Sequence, residues 1–68
     1  MNTMMEQFQI SLAAARVNAG LTQSDVASEM RVGKQTIGNW ENGKSKPSFA
    51  TLQALCILYG VPINRIRL

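Results

Sequence analysis

The sequence contains no histidine and a single cysteine, Cys56. With one thiol there is no internal disulfide, and with no imidazole there is no zinc-type ligand set and no Ser/His/Asp or Cys/His triad. Carboxylates are scarce too: Glu6, Asp25, Glu29 and Glu41 are spread over 68 residues, a poor start for paired acid–base chemistry. Long apolar runs are missing. The longest, Ala54 to Tyr59, is six residues, against the roughly 20 that a membrane span requires. The N-terminus lacks a basic region followed by an apolar block, so no secretory or membrane segment is expected. These absences point away from an enzyme and toward a binding module without cofactor, metal or small-molecule ligand. An unpaired thiol and no targeting signal fit a reducing cytoplasm.

A chain of 68 residues suffices for one domain and not for two. Such a domain buries only about 60% of its unfolded surface. With disulfide and metal excluded, close helix packing, a partner subunit or both must supply the stability.

What charge there is lies unevenly. Residues 1–30 carry Arg16 against Glu6, Asp25 and Glu29, a balance of −2. Residues 31–46 carry Arg31, Lys34, Lys44 and Lys46 against Glu41, a balance of +3, and Arg65 and Arg67 follow in the tail. Basic charge therefore gathers in the middle and at the end, as binding to phosphate would require.

Apolar spacing predicts an all-α, five-helix globule. Residues 6–19 contain no Gly or Pro, and Phe8, Leu12, Ala15 and Ala19 make one helical stripe that Gly20 ends. Thr22 is a good N-cap with Asp25 three residues on, and Val26, Ala27 and Met30 give the stripe of a second helix from about Gln23 to Met30. Arg31-Val32-Gly33 interrupts. A third helix follows from Lys34 to Asn42, with Ile37 and Trp40 on its inner face and Asn42-Gly43 at its end. Lys44-Ser45-Lys46-Pro47 reads as a basic loop. Ser48 caps a fourth helix with the stripe Leu52, Leu55, Cys56 and Tyr59; Gly60 closes it, and Pro62 opens a fifth through about Arg67. The first five residues are expected to be a flexible extension of this single domain.

Two short helices joined by a three-residue turn describe a helix-turn-helix, here over about residues 22–42. Gly20-Leu21-Thr22-Gln23, Val26-Ala27, Val32-Gly33-Lys34-Gln35-Thr36-Ile37, Asn39-Trp40-Glu41-Asn42-Gly43 and Lys46-Pro47 closely resemble the Xre/Cro family of phage-repressor-like DNA-binding domains. The similarity runs on through Leu52, Leu55 and Tyr59-Gly60-Val61 to Ile66, nearly the whole chain. It implies a compact lambda-repressor-like domain whose third helix enters the major groove of double-stranded DNA.

The resemblance assigns roles residue by residue. Lys34, Gln35 and Asn39 would read bases: Gln35 and Asn39 suit adenine, and Lys34 suits guanine or a phosphate. Gln23, Thr36, Asn42, Lys44 and Lys46 would contact the DNA backbone, Gln23 from a helix N-terminus where free N–H groups favour phosphate. Arg16 and Glu41 match a family ion pair that holds the recognition helix at its angle. Ala27 is small so that the second and third helices can approach closely.

Three positions depart from the family pattern. Arg31 stands where a Gly is usual because the backbone tends to positive φ, a conformation costing a side-chain-bearing residue on the order of 1 kcal/mol. Gly33 replaces the usual Ser or Thr cap. Gly38 lies inside the recognition helix, where Gly costs about 1 kcal/mol relative to Ala, and leaves a bare patch on the DNA-facing surface.

Repressors of this type bind as two-fold dimers to pseudo-palindromic operators. Ile57, Leu58, Ile63 and Leu68 fall off or at the edge of the core stripes and are the candidate homodimer interface, unless they pack on the first helix or on Met1, Met4, Met5 and Phe8. The function implied is a cytoplasmic, prokaryotic or phage-encoded, nucleoid-associated repressor that acts by occupying its operator. The alternative is an antitoxin-like or adaptor module of the same fold that works chiefly by binding a protein.

Overall fold

The computed structural model describes residues 8–68. Along the chain run a short strand β1 (Ile10–Ser11), helices α1 (Leu12–Asn18), α2 (Gln23–Met30), α3 (Lys34–Asn42) and α4 (Phe49–Tyr59), a 3-10 turn (Ile63–Arg65) and a second strand β2 (Ile66–Arg67). The five-helix expectation is corrected to four α-helices among the described residues. Pro62 is extended at φ −67°, ψ 145°, and after a single 3-10 turn the backbone stretches out to pair with the other end of the domain. β1 and β2 are parallel, with Ile10 opposite Ile66 and Ser11 opposite Arg67. Two side chains reinforce this junction: Arg65 Nε donates to the Phe8 carbonyl at 3.0 Å, and Gln9 Nε2 to the Asn64 carbonyl at 3.4 Å.

The first helix also begins later than expected. Ser11 is its N-cap, its hydroxyl accepting from the Ala14 N–H at 3.0 Å, so Ile10 is strand and not helix. The apolar stripe shortens accordingly: Leu12 and Ala15 are core, whereas Phe8 and Ala19 are exposed. Residues 1–7, which include Met1, Met4, Met5, Glu6 and the expected extension, lie outside the described residues.

The other helix starts follow the capping residues. Thr22 and Asp25 form a full capping box, Thr22 Oγ1 accepting from the Asp25 N–H while Asp25 Oδ2 accepts from the Thr22 N–H. The Thr22 backbone N–H first, and the Thr22 side chain after it, hold the Asp25 carboxyl below its ordinary range. Ser48 caps α4 through the Thr51 N–H. Leu12, Ala15, Val26, Ala27, Ile37, Leu52, Leu55, Cys56, Tyr59 and Ile66 converge in one core. Burial there pushes the Cys56 thiol up and the Tyr59 hydroxyl to about 12, the Glu41 carboxylate adding to the second shift and Arg16 opposing it.

α2 ends in a left-handed residue that bears a side chain. Arg31 sits at φ 60°, ψ 45°, its N–H reaching Ser28 O at 3.3 Å, and the Val32 N–H reaches Ala27 O at 3.0 Å. These bonds close the last carbonyls of α2 in a Schellman motif, so the turn takes a positive φ with Arg in place of Gly. Replacing Arg31 by Gly is expected to stabilise the domain by about 1 kcal/mol, since glycine takes this conformation without steric penalty. Urea unfolding followed by circular dichroism reads the change; a less stable variant would mean that the exposed guanidinium makes contacts worth more than the backbone strain.

Candidate nucleic-acid interface

α2 and α3 make the most extensive helix–helix contact among the described residues. Ala27, buried on α2, and Ile37, 1% exposed on α3, lie at the heart of the core. The link between the helices is short because α3 starts at Gly33, an N-cap with extended backbone and no side-chain capping bond. The backbone alone shapes that start.

At 3.6 residues per turn, α3 divides into two faces. Ile37, Trp40 and Glu41 turn inward; Ile37 is core and Trp40 packs partly buried against it. Lys34, Gln35, Gly38, Asn39 and Asn42 share the opposite arc, spanning roughly 140°. Lys34, Gln35 and Asn42 are exposed, while Gly38 and Asn39 are half-buried. Thr36 is half-buried at the flank next to Trp40's row. Gly43 then takes φ 78° and the Lys44 N–H bonds back to Asn39 O at 2.9 Å. This closure turns the chain sharply, so the exposed Lys44 and Lys46 directly follow the helix.

Arg16 on α1 is joined to Glu41 on α3. Its Nε donates to Glu41 Oε2 at 2.7 Å, Nη2 to Glu41 Oε1 at 3.3 Å, and Nη1 to the Leu21 carbonyl at 2.9 Å. The two side chains are 14% and 5% exposed. A forked pair of this kind is stronger than a neutral bond and geometrically specific. The hydrogen bond to Glu41 holds the Arg16 guanidinium above its ordinary range. Gln23, the first residue of α2, adds a third donor: its Nε2 reaches Glu41 Oε1 at 3.0 Å. One carboxylate on α3 thus ties together α1 and α2.

Lys34, Gln35, Asn39 and Asn42 therefore share one arc of α3, and Lys44 and Lys46 are exposed in the loop that follows. Gln23 stands on the neighbouring helix with its amide engaged by Glu41, a contact that sequence reasoning missed. Arg16 and Glu41 form an ion pair. The four apolar residues assigned to an interface divide. Ile57 and Leu68 are 79% and 58% exposed, whereas Leu58 and Ile63 are half-buried and pack on the core.

The sequence profile of the helix-turn-helix family matches residues 12–66. The chain is 38% identical over 59 residues to the cryptic phage CTXphi transcriptional repressor RstR of Vibrio cholerae, covering 87% of this chain and 53% of that protein. It is 28% identical over 60 residues to the HTH-type transcriptional activator BcrR of Enterococcus faecalis, covering 88% of this chain and 29% of that one. It thus spans about half the length of the first relative and under a third of the second. No solved structure matches it significantly. By fold, by the α2–α3 geometry and by this match, the chain belongs to the Xre-type helix-turn-helix family of DNA-binding transcription regulators.

Proposed function

We propose that this chain binds double-stranded DNA sequence-specifically, with α3 in the major groove, and represses transcription by occupying a pseudo-palindromic operator as a homodimer. The observation that carries the reading is the two-sided α3. Ile37 and the Arg16–Glu41 pair lock its inner face to the rest of the domain, while its outer face presents Lys34, Gln35, Asn39 and Asn42. Lys34 and Gln35 supply donors that match purine edges in the major groove. Lys44 and Lys46, with Asn42, Thr36 and Gln23, serve the phosphates on either side and set register. Repression is favoured over activation because the chain is 38% identical to a phage repressor and 28% identical to an activator. Ile57 and Leu68 are exposed, which supports assigning them, with the half-buried Leu58 and Ile63, to contact with a second copy. Occupancy alone excludes polymerase and requires no cofactor, and the work is done wherever the DNA is, in the cytoplasm of a prokaryotic host.

Binding to a labelled random duplex at two salt concentrations tests the core of this reading. Affinity is expected to fall as salt rises, each phosphate-bound lysine contributing about −0.9 to the slope of log K against log salt. Absence of binding at low salt would overturn it and leave the protein-interaction module of the same fold. Selection from random oligonucleotides would then give the operator. Half-sites whose centres lie about 34–36 Å apart are the expected signature of the dimer; a single unrepeated site would refute it.

A further inference from the structure

We propose that Gly38 is an affinity determinant of the DNA-binding face, because its missing side chain keeps the Glu41-oriented amide of Gln23 open to a DNA phosphate. This rests on the DNA-binding reading above. The orientation of that amide is chemically determined. Glu41 Oε1 only accepts, so the Gln23 atom 3.0 Å from it is the nitrogen and not the oxygen. An amide nitrogen carries two hydrogens. One serves Glu41, whose carboxylate is itself held by Arg16, and the other has no partner among the described residues.

Neither backbone nor packing requires glycine at 38. The residue lies within α3 and is not among the positive-φ glycines. A Cβ built there would meet only Gln23 Nε2, at 3.8 Å, which is ordinary van der Waals contact. Alanine therefore fits, and it would strengthen the helix. What it would also do is set a methyl group against the very nitrogen whose second N–H is free. The open space at position 38 and the donor beside it form one feature of the surface, with Lys34 and Asn42 one turn away on either side.

Titration of a labelled duplex at fixed salt with the wild type, Gln23→Ala, Gly38→Ala and the double variant tests the coupling. Gln23→Ala is expected to weaken binding roughly tenfold, the value of a hydrogen bond to a charged group. Gly38→Ala should weaken it by a smaller factor, about threefold or more on the same scale, while its thermal midpoint rises by roughly 4–8 °C. The double variant should bind no worse than Gln23→Ala, because with the amide gone the methyl group has nothing left to cover. The salt slope should stay unchanged throughout, since no charge is removed. Losses that multiply, or Gly38→Ala binding as tightly as the wild type, would overturn the proposal. Should Gln23→Ala not fold, Gly38→Ala decides alone, being the more stable protein: weaker binding supports the proposal and unchanged binding overturns it. Failure of the wild type itself to bind at low salt would instead overturn the DNA-binding reading, and the proposal with it.

Discussion

Replacing Arg16 by alanine is expected to cost about 3–5 kcal/mol, the range for breaking a buried ion pair from one side. A domain of 68 residues has a total stability of only about 3–10 kcal/mol, so much of the population would unfold. The cost arises on the partner. Glu41 is 5% exposed, and without Arg16 its carboxylate would keep, among the described residues, only the Gln23 amide as a donor. Truncating Glu41 is expected to be milder, because Arg16 is 14% exposed, keeps its bond to the Leu21 carbonyl, and has a flexible stem that lets its charged end reach water. Removing both charges together with Arg16→Met and Glu41→Leu should cost less than Arg16→Ala, since no charge then stays buried alone. Urea unfolding by circular dichroism ranks the three. An Arg16→Ala variant within 1 kcal/mol of wild type would show that water reaches Glu41 and that the pair does not hold α3.

The same pair marks how far the sequence could be read. Helix starts at Thr22 and Ser48, and stops at Gly20, Gly43 and Gly60, were legible because each rests on local chemistry: a side-chain oxygen for free N–H groups, or a left-handed residue that closes the last carbonyls. Ala27, Ile37, Leu55 and Tyr59 were legible because helical spacing repeats. The strand pair had no such signal. Ile10 meets Ile66 across most of the chain, and two residues are too few to display a period of two. The expected fifth helix failed for a related reason. Pro62 is a good first residue of a helix, but it equally suits an extended backbone, and here β1 offers a partner to the residues after it. At the candidate site, spacing and resemblance put Lys34, Gln35, Gly38 and Asn39 on an exposed face; Lys34 and Gln35 are exposed, while Gly38 and Asn39 are half-buried. The bond between Gln23 and Glu41 was not legible, because nothing in the order of residues says which donors a buried carboxylate will collect.

Alanine at both Lys34 and Gln35 is expected to erase most of the sequence preference while leaving much of the non-specific affinity. One bidentate base pairing contributes about 1–3 kcal/mol of discrimination. If each half-site of a dimer loses at least one, preference falls by about 2–6 kcal/mol, roughly 30-fold to 10⁴-fold. Affinity for random duplex should fall much less, because Lys44, Lys46 and Asn42 are untouched and only one positive charge per copy is lost. Folding should be spared: both side chains are exposed, and alanine is the better helix former at each position. Stability is thus expected to stay within about 0.5 kcal/mol of wild type, so that a change in preference reports contacts and not unfolding. The comparison to make is the ratio of specific to random-duplex affinity at one salt concentration. An unchanged ratio in a folded variant would move base reading along the same face to Asn39, whose backbone carbonyl already receives Lys44 N–H. Specificity would then sit at the end of α3 that the turn into the basic loop holds in place.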